Sequence, residues 1–144
     1  MAIFPIGDQR VGIVRDMPVL DEFNQPVYGD DPLDGPRVEP VTIWVDNALF
    51  EVQTPTERPD FATTTNTIAI AELPISKDRV IPAVDDDGED ASLAFYDDDG
   101  KPNITANARI VSNGVEYEIR GDVVLEEDIR GRADHVFISC GRTN

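Results

Sequence analysis

Two stretches of this 144-residue chain have a composition that could hold a hard cation. Asp85-Asp86-Asp87-Gly88-Glu89-Asp90 and Asp97-Asp98-Asp99-Gly100 offer the carboxylate oxygens that calcium takes. The spacing does not fit an EF-hand loop. Counting back from the glycine at its sixth position puts Ala83 or Phe95 where the first ligand should be. Both tracts therefore read as solvated turns. His135 is the only histidine, so a histidine zinc site or a Ser-His-Asp triad would rest on it alone. Asp134-His135 at the start of a strand reads as an interfacial or strand-edge pair. Cys140 is the only cysteine, which excludes an intramolecular disulfide and a multi-thiol zinc site and suits a reducing cytosol. It reads as a small buried hydrophobe, with a reactive thiol as the alternative. The chain has no P-loop, no GxGxxG and no GxSxG. Paired carboxylates are plentiful, but at this acidity abundance singles out no pair. The residues point to no enzyme, no metal and no cofactor.

The charge balance narrows the partners. Twenty-nine acidic against twelve basic residues give a formal net charge of −17. Tight phosphate binding needs clustered Lys and Arg to displace counterions, and no basic run exists here. Sequence-specific DNA binding is excluded on that ground. Two readings of the acidity stand: solubility, or an acidic surface past which DNA slides without sticking.

A chain of this length is most simply one domain, 1–144, large enough for a core without staples. No window approaches the ~20 apolar residues of a membrane helix. Met1-Ala2-Ile3-Phe4-Pro5 lacks the basic start and apolar run of a signal peptide. The expectation is a soluble chain with no membrane partner.

The elements that must carry these residues are strands. Val115, Tyr117 and Ile119 alternate with Glu116, Glu118 and Arg120, a period of two that separates an apolar from a charged face. Before them, Ala108 to Val111 runs into Ser112-Asn113-Gly114, and Asn-Gly is the strongest short hairpin signal. Gly121-Asp122 is expected to end the return strand, with an irregular acidic passage from Val123 to Arg130. A last strand, Asp134 to Cys140, should point Val136, Ile138 and Cys140 inward. Residues 1–10 read as an arm and Val11 to Arg15 as a short strand. In Val41 to Val45, Val41, Ile43 and Val45 share one face and Thr42 and Trp44 the other. Asn47 to Val52 continues or restarts it. Ala62 to Leu73, Arg79 to Ile81 and Ala91 to Tyr96 are further extended segments. No stretch has sustained helical periodicity. The fold class is mainly β: a small antiparallel barrel or sandwich with long loops and little helix.

One long segment, 16–40, stands apart. Between Met17 and Pro40 it holds Pro18, Pro26, Pro32, Pro36 and Pro40 with Gly29 and Gly35, which forbids a helix and permits an edge hairpin or an extended loop. Phe23, Val27, Tyr28 and Leu33 give it apolar handles that plain linkers lack. It is either an interaction or channel-facing loop or a solvated connection. Trp44, the only tryptophan, is a core or barrel-end packing residue or an interface anchor. With His135, these are the candidate interaction residues.

The order of the pieces carries a resemblance. Gly114-Val115-Glu116-Tyr117-Glu118-Ile119-Arg120-Gly121-Asp122, an acidic linker, and Gly131-Arg132-Ala133-Asp134-His135-Val136 resemble the C-terminal half of phage head-closure proteins, the head-to-tail stoppers of long-tailed phages, especially those of actinobacterial hosts. Val11 to Arg15 and the turn Asp21-Glu22-Phe23-Asn24-Gln25-Pro26-Val27 are similar to that family's first strand and Asp-Glu-Tyr-Gly-Asn-Pro-Val type turn. The middle, from about Val52 to Pro102, shares only the general layout. The resemblance implies a virion protein, made in the host cytoplasm and placed at the head–tail interface. It implies a self-assembled ring of about twelve subunits, with a portal or adaptor ring above and a tail-terminator or tail tube below. Genomic double-stranded DNA would pass through without sequence-specific binding. A tail-terminator or other neck ring is the neighbouring alternative, and an acidic DNA mimic the alternative from another class.

Overall fold

The computed structural model describes residues 6–29, 33, 35–53 and 66–143. Its strands are β1 (Gln9–Pro18), β2 (Val38–Gln53), β3 (Asn66–Pro74), β4 (Val80–Ile81), β5 (Leu93–Ala94), β6 (Arg109–Ser112), β7 (Val115–Glu127) and β8 (Ala133–Thr143). Six of them close into an antiparallel barrel in the order β1-β2-β3-β8-β7-β6, while β4 and β5 pair as a separate ribbon. The protein is thus mainly β, the barrel of the two expected arrangements, and no α-helix occurs among the described residues.

Alternation along each strand decides what fills the barrel. Ile43, Ile13, Ile110 and Tyr117 lie opposite one another in sequence across β2, β1, β6 and β7. The ring of Tyr117 then meets that of Phe50 with centroids 4.9 Å apart, which links β7 to β2 across the interior. On the other wall Ala69, Ala71 and Leu73 oppose Cys140, Ile138 and Val136, and all six are buried. The inward set expected for the last strand is therefore found. Ile75, Ile81, Ala83, Phe95, Ile104 and Ala108, from the long excursion between β3 and β6, join the same core.

The barrel closes because two strands change phase. In β2 one extra residue is accommodated around Asn47, which takes a positive φ of 59°. Inward residues therefore run Ile43, Val45 and then Ala48, Phe50. The preceding chain seals this bulge: the Ile6 and Gly7 N–H groups donate to the Asn47 carbonyl, and Gln9 Oε1 accepts the Phe50 N–H. Residues 6–10 of the expected arm are thus tied to the barrel, and Met1–Pro5 lie outside the described residues.

β7 corrects the expected break at Gly121-Asp122. The register steps from Ile119 opposite Cys140 to Val123 opposite Ile138, so two extra residues bulge out and the ladder resumes. Gly121, at φ 96°, absorbs the distortion. Sequence alone shows the breaker but not the partner strand that spans it. β1 is likewise longer than Val11 to Arg15, because β2 pairs with it as far as Pro18. The segment Ala91 to Tyr96 forms regular structure only at Leu93–Ala94. Val41 is exposed although it shares parity with buried Ile43 and Val45, since it sits where β2 has left the barrel.

Five hairpin loops share one backbone design. In Asp21–Gln25, Ser76–Val80, Asp85–Glu89, Asp97–Lys101 and Asp128–Arg132 the first N–H donates to the fifth carbonyl and the fourth N–H to the first carbonyl. The fourth residue has positive φ: Asn24, Arg79, Gly88, Gly100 and Gly131. The first side chain caps the turn, its oxygen accepting the fifth N–H in every case. Asp carboxylates also accept the third N–H. The acidic tracts are turns because aspartate supplies this acceptor.

Candidate assembly surface

The segment 16–40 is a hairpin that leaves the barrel with strand character at both ends. Asp16, Met17 and Pro18 pair with Pro40, Glu39 and Val38. The Val19 N–H donates to the Arg37 carbonyl, the Arg37 N–H to Val27 and the Val27 N–H to Val19. Asp21–Gln25 turns at one side, bridged by Leu20 and Pro26. Prolines fit because these strands have an open side. Trp44 turns its N–H away from β1 toward the Val84 carbonyl, so by strand parity Pro40 places its missing donor on that same outer side. Residues 30–32 and 34 lie outside the described residues.

This finger presents apolar side chains to solvent. Phe23 is 74% exposed, Tyr28 60% and Leu33 92%. Met17, Leu20 and Val38, which the composition did not single out, are exposed beside them. Val27 is half-buried within the hairpin and serves its backbone ladder.

The other two candidate residues lie elsewhere. Trp44 is half-buried on the outer wall of the barrel, where its ring covers Gly12; a Cβ there would come within 2.8 Å of the ring. Its indole N–H donates to Asp86 Oδ1 at 2.8 Å. It therefore packs against the wall rather than filling the interior. Beside it is a hollow of about 270 Å³ lined by Trp44, Pro82, Ala83, Val84 and several polar groups. His135 stands in β8 between Pro74 of β3 and Glu126 of β7, with its Nδ1 2.7 Å from Asp134 Oδ2. It has strand neighbours on both sides, so the strand-edge reading of the pair does not describe it.

The ionised groups are held by local contacts. The Arg10 guanidinium hydrogen-bonds Asp46 and keeps that carboxyl below its ordinary range. The Ser92 hydroxyl and N–H do the same for Asp90, and the Arg132 and Arg130 N–H groups for Asp128. Arg109 Nη2 reaches Asp16 at 3.2 Å, while its Nε lies 2.9 Å from Glu116 without the alignment of a hydrogen bond. Burial pushes the Cys140 thiol up to about 11, and its Sγ lies 3.5 Å from the Ala69 carbonyl. Cys140 is the small buried hydrophobe of the two readings. A depression of about 500 Å³ is lined by Gly114–Glu118 and Arg142, with two carboxylates and one guanidinium. No group of three or more His, Cys, Asp or Glu positioned for a metal occurs among the described residues.

The tip of the β7–β8 hairpin is a surface that sequence reading missed. There Ile129 is fully exposed between Asp128 and Arg130. The available signal was Asp128-x-x-Gly131, the same spacing as Asp85-x-x-Gly88 and Asp97-x-x-Gly100, which marks a five-residue hairpin loop. Comparison of the chain with protein-family models, curated protein sequences and solved structures gave no match.

Proposed function

We propose that this protein is a structural subunit of a phage neck, a head-to-tail stopper that assembles as a ring, closes the DNA-filled head and offers a surface to the tail. The observation that carries the reading is the apolar finger projecting from a closed barrel. A barrel with few free edges is a rigid module suited to stacking, and the finger supplies a contact surface that a solitary soluble domain would not keep. Each of Phe23, Tyr28 and Leu33 is worth about 1.5–3 kcal/mol if fully covered, which offsets the entropy of fixing the hairpin against a neighbour. The finger would reach an adjoining ring or the DNA channel. The sequence resemblance points the same way, and the −17 charge suits a wall past which duplex DNA slides. A phosphate-mimicking role is poorly served, because four aspartates are already engaged in capping their own turns.

The test is to replace Leu20–Pro36 by a short Gly-Ser bridge between Val19 and Arg37, which the structure already joins by a 2.9 Å hydrogen bond. The expected barrel is folded, with unchanged β circular dichroism, while heads carrying the variant leak DNA or fail to join tails. Normal titres of tailed particles would defeat the reading.

A further inference from the structure

We infer that the β7–β8 hairpin tip of one copy docks into the hollow beside Trp44 of a second copy, a head-to-tail contact that rests on the ring reading and names its lateral partner. The tip offers Ile129, fully exposed, followed by Arg130 and Arg132. Neither arginine forms a salt bridge among the described residues, whereas Arg10, Arg79 and Arg109 do. The nearest carboxylates are engaged: Asp128 accepts the Arg130 and Arg132 backbone N–H groups, and Glu127, whose Oε2 lies 3.9 Å from a Cβ built on Gly131, pairs with Arg79. With those carboxylates engaged, the two guanidiniums that follow the exposed isoleucine suit a partner that is acidic with an apolar centre.

The hollow has that character. Trp44, Pro82, Ala83 and Val84 line it, and its volume of about 270 Å³ has room for an aliphatic side chain. The Asp85–Glu89 turn stands at its edge, next to Val84, and the exposed side chains of Asp87 and Glu89 carry no salt bridge among the described residues. Trp44 is held in place by Asp86 and by its seat on Gly12, so the cavity wall is fixed before a partner arrives. Rigid aromatic walls of this kind anchor interfaces.

Position favours a second copy over a contact within one chain. In the barrel order β1-β2-β3-β8-β7-β6, β2 stands opposite β7. The tip extends from β7 and β8, whereas the hollow sits beside β2, where Val84 pairs with Trp44. A knob on one wall and a hole on the opposite wall produce heterologous contacts, which close into rings or run on as filaments. Duplex DNA is the poorer occupant for the tip, since phosphate gives Ile129 nothing to pack on.

Trp44, as the sole tryptophan, reports the event directly. Sedimentation velocity over a concentration series, read alongside tryptophan emission, should show association of the wild-type chain with a blue shift of Trp44. R130E/R132E and D87R/E89R change exposed side chains only, so both should fold and each should associate at least about tenfold more weakly. Mixing the two variants should restore association, because the intact tip of one meets the intact hollow of the other and the two reversed faces are again opposite in charge. I129D should behave like R130E/R132E. A wild-type chain that stays monomeric at every concentration overturns the docking, as does association unchanged by both reversals. Loss of duplex DNA binding, rather than of self-association, in R130E/R132E also overturns it. The neck reading is judged separately by the finger replacement, so the two can fail independently.

Discussion

Gly114→Val isolates the energy of one backbone conformation. Ser112 pairs with Val115, so the β6–β7 loop is the two residues Asn113 and Gly114, at φ 52° and 76°. Both angles lie in the left-handed region that a type I′ turn requires. A Cβ built on Gly114 meets nothing within 4 Å, so the substitution adds no clash with the rest of the molecule. The cost is that of holding a β-branched residue at positive φ, about 1–3 kcal/mol. For a chain of this size 1 kcal/mol lowers Tm by about 2–4 °C, which gives an expected drop of about 2–12 °C. Thermal unfolding by far-ultraviolet circular dichroism reads it. Gly114→Asn serves as the control and should lose much less, because asparagine tolerates this region. If valine melts with the wild type, or asparagine costs as much as valine, the turn is not held as described.

Ile138→Ala removes a fully buried side chain opposite Ala71, which is too small to fill the space, and should cost about 2–5 kcal/mol in denaturant unfolding. Cys140 should resist thiol reagents at neutral pH in the native protein and react on unfolding, as rates with a chromogenic disulfide would show. Because burial raises its folded pKa to about 11, the unfolded thiol ionises first, so its stabilising share is intact below about pH 9 and lost as pH rises toward 11. Asp128 has the opposite sign. Its folded pKa is lowered by the Arg132 and Arg130 N–H groups, so the turn keeps its cap above the ordinary carboxylate range and loses it as pH falls through the folded value. Protection of the Arg130 and Arg132 amides, measured against the intrinsic exchange rate at each pH, should therefore fall in acid, and that fall should be absent in Asp128→Asn.

Much of the barrel was legible because strand parity is written in residue type. Val136, Ile138 and Cys140 point inward as their alternation requires, and Asn113-Gly114 turns the chain where it should. What escaped depends on partners that a single strand does not display. Gly121-Asp122 looks like an end, yet β8 pairs on both sides of it. The phase change at Asn47 is invisible in composition, because asparagine tolerates the bulge without announcing it. The apolar finger was legible at Phe23, Tyr28 and Leu33, whose exposure follows from prolines that keep the segment out of the core. The Ile129 tip was not, because an acidic run hid a repeated turn.

The place proposed for this barrel is the junction of head and tail, and locating the chain in the virions that would carry it tests that place. Antibody-gold labelling of intact particles and of heads separated from tails, viewed by electron microscopy, reads the position. The expected label is confined to the neck, on the portal vertex of filled heads. Label spread over the capsid, along the tail or on fibres, or particles that carry none of this chain, would contradict the account.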